Sequence, residues 1–266
     1  MQAKTFNSFR ELVYRESGIK LDESKEALIR ARIGKRMRVL NITDHDDYYN
    51  YVIQDESGEE LINLLDAIST NVTSFFRGPD HFNFLAKCVR NWISEGQKSI
   101  RIWSSACSSG EEPYSIAMTI LWEIKEYLDI KILATDISTK VLNKAQSGIY
   151  ESDKVDQIPV NYRVTYFDEF IDDGKTLYRI KPIVRDIVTF KRINLANPPF
   201  PMRGPFDAVF CRNVMIYFDG RTRHNLLEEI YRILKPNGLL FVGHAESLIG
   251  LSNGFKVIRP SIYIKI

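Results

Sequence analysis

One short stretch gathers residues suited to binding a nucleotide-like cofactor. A small-residue loop, Ser104-Ser105-Ala106-Cys107-Ser108-Ser109-Gly110, runs into Glu111-Glu112-Pro113, and a lone acid, Asp136, stands 26 residues beyond Gly110. The loop follows a β-rich run at residues 99–103 and opens a helix, since Pro113 loses nothing in a first helical turn and acids there favour the helix dipole. A second β-rich run, residues 131–135, ends on Asp136. An acid at the tip of the second strand is placed to accept two ribose hydroxyls, close to the ~20-residue spacing of dinucleotide sites. Only Gly110 is present, however, and Glu111 would repel a pyrophosphate at the helix N-terminus. A cofactor with a ribose, an ammonium group and no phosphate fits better, so S-adenosyl-L-methionine is expected. Any doubly wound α/β domain with an acid at a strand end would show part of this pattern.

The elements that must position these residues follow from periodicity. From about residue 75 onward, strands are expected at 99–103, 131–135, 187–192, 206–211, 239–243 and 263–266, with helices between them, including one running on to Leu128. The helix at 221–234 is followed by the stop signal Lys235-Pro236-Asn237-Gly238. Alternation of this kind predicts an α/β fold with a mainly parallel sheet and ligands at the carboxyl ends of its strands. Residues 148–184 break the rhythm. Asp172-Asp173-Gly174 between runs at 164–171 and 175–180 signals a hairpin, hence a small β insertion. Residues 1–69 lack strand alternation and read as helices.

Two further groups lie where strand ends would carry them. Asn194 and Leu195 are placed to meet an adenine edge and face, and Asn213 and Tyr217 stand where a cofactor's reacting end would be. Read singly, Asn213 caps a turn and Tyr217 is a half-buried aromatic. Ahead of the sheet, Asn71-Val72-Thr73-Ser74-Phe75-Phe76-Arg77 is either an interdomain plug or a segment that brings Arg77 to the methyl-donor end. Asn197-Pro198-Pro199-Phe200 looks like the motif of amino methyltransferases, but it precedes the fourth strand instead of ending it, and reads as a loop. His244 and Glu246 suit acid/base work or a structural corner.

Charge is segregated at the front. Residues 27–40 hold Arg30, Arg32, Lys35, Arg36 and Arg38 without an acid, and residues 41–70 hold eight acids without a base. Ile29, Ile33, Met37 and Leu40 share one helical face, which should pack inward and leave the five cations outward. That face either receives an anionic substrate or is solvated or paired with the acidic helices behind it.

With 36 basic and 34 acidic side chains the net charge is +2, which makes no case for nucleic acid. Three widely separated cysteines show no metal-ligand spacing and suit a reducing cytoplasm. No metal, no signal peptide and no membrane insertion is expected, and a cytoplasmic monomer is the simplest reading.

Taken together, residues 71–77, 108–117, 134–138, 194–195, 210–218 and the late Gly243-His244-Ala245-Glu246-Ser247 resemble the chemotaxis receptor methyltransferases of the CheR type. The resemblance runs over nearly the whole chain. It implies an all-α N-terminal domain (1–70), then a Rossmann-like S-adenosylmethionine-dependent methyltransferase domain (71–266) with a small β-subdomain insertion at about 150–184. It implies methyl esterification of receptor glutamates in sensory adaptation, with S-adenosyl-L-homocysteine as product; the alternative is a methyltransferase acting on nucleic acid or a different protein. By position, Asn71, Thr73, Arg77, Glu111, Asp136, Asn194, Leu195, Arg212 and Asn213 correspond to the cofactor site, and Arg77 and Tyr217 to the residues nearest the transferred methyl. The basic helix, through Arg30, Arg32, Lys35, Arg36 and Arg38, would face the glutamate-rich methylation helices of chemoreceptors. Some relatives tether to a receptor-tail pentapeptide through a glycine-rich loop, whereas residues 167–180 here contain the single Gly174, so that tether is not expected.

Overall fold

A computed structural model describes residues 1–22, 26–69, 72–124, 128–248, 250 and 254–266. Four helices come first: α1 (Ala3–Ser17), α2 (Glu26–Leu40), α3 (His45–Gln54) and α4 (Glu59–Ile68). They pack around their own apolar cluster, which includes Phe9, Ile33, Tyr48 and Leu64, all fully buried. The apolar face expected of α2 is there: Ile29, Ile33 and Met37 are buried and Leu40 is partly so.

Helix α5 (Pro79–Ser94) leads into the second unit: β1 (Ser99–Ser104), α6 (Glu111–Glu123), β2 (Asp129–Asp136), α7 (Thr139–Ser147), β3 (Ile149–Glu151), α8 (Ser152–Val155), α9 (Val160–Tyr166), β4 (Phe167–Asp172), β5 (Lys175–Ile180), α10 (Pro182–Arg185), β6 (Val188–Arg192), β7 (Phe206–Cys211), α11 (Gly220–Ile233), β8 (Leu234–Val242), β9 (Phe255–Arg259) and β10 (Ile262–Lys265). Seven strands form one sheet in the order β6-β2-β1-β7-β8-β10-β9. Neighbours from β6 to β8 are parallel, and β10 runs antiparallel to both β8 and β9. The order reverses between β1 and β7, and a sheet of this kind opens a crevice at that switch point, beyond the carboxyl ends of its strands. The insertion is a separate antiparallel sheet, β3-β5-β4. Its Tyr150 donates to the carbonyl of Ser109 at 2.7 Å, so it buttresses the small-residue loop.

Several sequence expectations need correction. The run expected as a strand from residue 164 is helical to Tyr166, and β4 starts only at Phe167. Helix α6 ends at Glu123, and residues 125–127 of its expected extension lie outside the described residues. Lys235-Pro236-Asn237-Gly238 does not separate helix from strand. Phe206 pairs with Leu234 and Ala208 with Leu239, so these four residues bulge inside β8 opposite Asp207, which takes the Lys235 ammonium at 2.5 Å. Strand β9 was not foreseen: its Lys256, Val257, Ile258 and Arg259 are all exposed, so it lacks the alternation that marks a half-buried strand. The Asn197–Phe200 motif is a loop, with Phe200 buried edge-on against Trp103.

Candidate active site

The cleft at the carboxyl ends of β1, β2, β6 and β7 has a volume of about 1020 Å³ counted to its open mouth, and its lining includes Thr73, Arg77, Ser105, Ser108, Glu112, Asp136, Asn194, Leu195, Arg212, Asn213 and Tyr217. Of the residues singled out in the sequence as cofactor or catalytic positions, all but Asn71 and Glu111 stand in this lining. Asn71 lies outside the described residues.

Each wall has a local cause. After β1 the chain turns at Gly110, whose φ of +97° starts α6; a Cβ there would sit 2.8 Å from the Tyr150 hydroxyl and 2.9 Å from the Ala145 Cβ. This is the one glycine the loop requires. Asp136 ends β2, with one carboxylate oxygen accepting from the Ser108 N–H at 2.9 Å and the other from the Ser138 N–H at 3.0 Å. Burial raises its pKa, opposed by those backbone donors. The Asp136 carboxylate thus joins the two loops that flank the cleft.

Glu111 does not stand in the lining; Glu112 does. Successive residues of a helix point about 100° apart, so only one of two neighbouring acids in the first turn of α6 can face the cleft. Glu111 is fully buried, takes the Ser109 hydroxyl at 2.7 Å on Oε2, and leaves Oε1 without a partner. Glu112 accepts from Ser104 Oγ at 2.7 Å and from Arg212 at 3.1 Å. Burial raises its pKa, and the Arg212 charge opposes that. Arg212 also donates to the Arg77 carbonyl at 2.5 Å, which ties the segment before α5 to the end of β7. The Arg77 guanidinium is exposed at the cleft and donates to the Val72 carbonyl at 2.9 Å.

Asn194 lines the cleft, but its side-chain amide is engaged: Nδ2 donates to the Glu16 carbonyl at 2.8 Å and Oδ1 accepts from the Ala196 N–H at 3.0 Å. Leu195 beside it is buried and supplies an apolar face. Asn213 has a left-handed φ of +59° and precedes the short 3-10 turn Met215–Tyr217 that brings Tyr217 to the cleft.

The sequence reading missed one wall altogether. Ser17 and Ile19 from the end of α1, and Ile68 and Ser69 from the end of α4, also line the cleft. Gly18 between the first pair has φ +71°, and a Cβ there would fall 2.4 Å from the Ala196 Cβ, so a glycine-terminated helix was the available signal.

The basic helix divides between its readings: Arg36 pairs with the acidic helix behind it, as one reading had it, and Arg32 turns inward too, while the other three cations stay exposed. Arg36 makes a two-pronged pair with Glu60 at 2.7 and 2.6 Å, and Tyr48 donates to the same carboxylate at 2.7 Å. Arg32 donates to the carbonyls of Ile68 and Ser69. A buried carboxylate needs a counter-charge and the carbonyls at a helix C-terminus need donors, so the packing of α4 on α2 draws these two cations inward. Arg30 pairs with Glu26 and donates to the Met1 carbonyl but stays exposed, as do Lys35 and Arg38.

A parallel sheet with an antiparallel strand inserted near its end, and a switch-point cleft carrying an acid at the end of β2, define the S-adenosylmethionine-dependent methyltransferase class. The residues fit that cofactor: an acid for a ribose, an apolar Leu195 face, and no glycine-rich phosphate cradle. The family described as "CheR methyltransferase, SAM binding domain" matches residues 71–264, and "CheR methyltransferase, all-alpha domain" matches residues 4–69. The chain belongs to the CheR methyltransferase family. It is 40% identical over 267 residues to a chemotaxis protein methyltransferase of Borreliella burgdorferi, covering 96% of this chain and 92% of that one. It is 37% identical to chemotaxis protein methyltransferase 2 of Pseudomonas aeruginosa (97% and 91% covered) and 36% identical to the chemotaxis protein methyltransferase of Escherichia coli (97% and 89% covered). Among solved structures, magnesium protoporphyrin IX methyltransferase from Synechocystis matches with a TM-score of 0.40 at 14% identity, covering 84% of this chain and 98% of that one. Among the described residues, no helix is long and apolar enough to cross a membrane.

Proposed function

We propose that this enzyme acts in the cytoplasm and converts glutamate side chains on the methylation helices of chemoreceptors to methyl esters. The observation that carries the reading is the exposed Arg77 guanidinium and the Tyr217 side chain at one cleft, framed by Asp136, Asn213 and Arg212. S-adenosyl-L-methionine supplies a methyl group on a sulfonium, already activated for displacement. A glutamate carboxylate has an ordinary pKa of about 4.3 and is ionised at neutral pH, so the enzyme needs no general base. What the chain must supply is position. Arg77 pairs with the incoming carboxylate and the Tyr217 hydroxyl orients it, because in-line geometry is what converts such an encounter into a fast step. Asp136 takes the ribose hydroxyls, Leu195 the adenine face, and Thr73, Asn194, Arg212 and Asn213 complete the cofactor shell. Glu111, buried behind the loop, braces it through the Ser109 hydroxyl.

The exposed cations of α2, Arg30, Lys35 and Arg38, are the surface offered to the acidic receptor helix. The test is calorimetric titration with S-adenosyl-L-homocysteine, then transfer of labelled methyl to a receptor cytoplasmic fragment. The expected product is an ester that releases methanol in mild alkali. Alkali-stable label would mean N- or C-methylation and would overturn the reading.

A further inference from the structure

We propose that Glu246 is a positioning residue for methyl transfer, holding the turn from Asn213 to Tyr217 against the end of β8. The inference rests on the reading of Tyr217 given above. Beyond β7 the chain leaves strand geometry at once, so the backbone N–H groups of its turn lose their ladder partners. Glu246 takes them up. One of its oxygens accepts from Asn213 N–H at 2.8 Å and Gly243 N–H at 2.6 Å, and the other accepts from Ile216 N–H at 3.3 Å. The side chain is 8% exposed and is not part of the cleft lining, so it acts through the turn and does not touch the substrate.

The fit is close on the opposite side too. A Cβ on Gly243 would lie 2.7 Å from Glu246 Oε2, 2.8 Å from Asn213 Nδ2 and 3.0 Å from Asn213 N. The ends of β7 and β8 therefore approach at a separation that only glycine allows, with the carboxylate wedged between them. The far end of the turn is held separately, by Lys20 N–H donating to the Tyr217 carbonyl at 2.8 Å. Glu246 lies outside the cleft lining, so it is not placed to pass a proton to or from a substrate there. An amide in its place keeps one acceptor oxygen, so its NH2 must face either the Ile216 N–H or the Asn213 and Gly243 N–H groups. Displacing a positioning group by about 1 Å can cost about 100-fold in rate.

The test is a double-mutant cycle on the full chain, with methyl transfer to a receptor cytoplasmic fragment as the readout. Glu246→Gln is expected to lower kcat at least fivefold while the receptor KM stays within twofold. In a Tyr217→Phe background the same change should lower kcat by less than threefold. A smaller loss in the first case, a larger one in the second, or a loss confined to KM overturns the inference. If Glu246→Gln fails to fold, Gly243→Ala presses on the same contact from the other side and is judged by the same limits. If Tyr217→Phe alone leaves kcat unchanged, the reading of Tyr217 falls and this inference with it. If Tyr217→Phe lowers kcat and the losses multiply in full, only the role of Glu246 falls.

Discussion

The backbone N–H of Lys20 donates to the carbonyl oxygen of Tyr217 at 2.8 Å. They stand 197 positions apart in the sequence, yet the bond joins the end of α1 to the turn that faces the cleft. It has company: Asn194 holds the Glu16 carbonyl at 2.8 Å, and Tyr14 donates to Asp219, the N-cap of α11, at 2.5 Å. The helical front end is thus a wall of the site as well as a candidate receptor surface.

Gly18 is where that wall meets the sheet domain. Gly18→Ala imposes a side chain on a left-handed φ and on a 2.4 Å approach to Ala196. The expected cost is about 1–3 kcal/mol of stability, measured by denaturant unfolding. S-adenosyl-L-homocysteine affinity should fall with it, because Ser17 and Ile19 are displaced; unchanged calorimetric affinity would remove α1 from the site.

Asp136→Ala should weaken S-adenosyl-L-homocysteine binding by about 1–3 kcal/mol through loss of charge-assisted ribose contacts. NAD should show no binding in the same calorimetric experiment. Wild-type affinity in the variant would move the ribose elsewhere.

For the chemistry, Arg77→Ala should abolish methyl transfer to a receptor fragment. Tyr217→Phe should lower kcat by more than it raises the dissociation constant for S-adenosyl-L-homocysteine. Equal effects on both would make Tyr217 a binding residue only.

On the basic helix, Lys35→Glu with Arg38→Glu should raise the receptor KM, and the wild-type KM should itself rise with salt, since exposed charges are screened over about 8 Å at physiological ionic strength. Stability should hardly move. Arg36→Glu should behave differently, costing about 2–4 kcal/mol in unfolding measurements, because it strands Glu60, whose side chain is only 3% exposed. A KM effect without a stability effect at Arg36 would mean the ion pair opens to meet substrate.

The fold should also lose stability in mild acid through His81. Its ring is 1% exposed, stacked on His244 and near Arg212, and burial pushes its pKa down to about 3. The unfolded chain takes up a proton on this ring below about pH 6.5 and the folded chain does not, so stability falls as pH drops from 6.5 toward 3. Between pH 7 and 5 the loss should be about 2 kcal/mol. His81→Phe should flatten that part of the profile in denaturant titrations, and an unchanged slope would assign it to other groups.

The sequence by itself determined the class of the sheet and the identity of most of the cleft. Alternation of β-rich and helical runs is a local property, and strand ends place their residues at one edge of a parallel sheet whatever the details, so Asp136, Leu195, Arg212 and Asn213 could be assigned from spacing and resemblance alone. Chemistry carried by residue type was equally legible: an acid with no glycine-rich cradle already argued for a cofactor without phosphate.

Only the tertiary structure decided which side chains are committed elsewhere. Helical periodicity puts Arg32 and Arg36 outside and the charge pattern allows pairing with the acidic helices behind, but only the packing of α4 selects these two cations, setting a buried Glu60 and the end of its own backbone against them. Adjacent acids look alike in sequence, and the angle at which Gly110 launches α6 is what turns Glu112 to the cleft and Glu111 behind it. The contribution of Ser17 and Ile19, and the hold of Glu246 on Asn213, depend on pairs far apart in the chain. Such contacts follow from how packed elements meet, which no local pattern encodes.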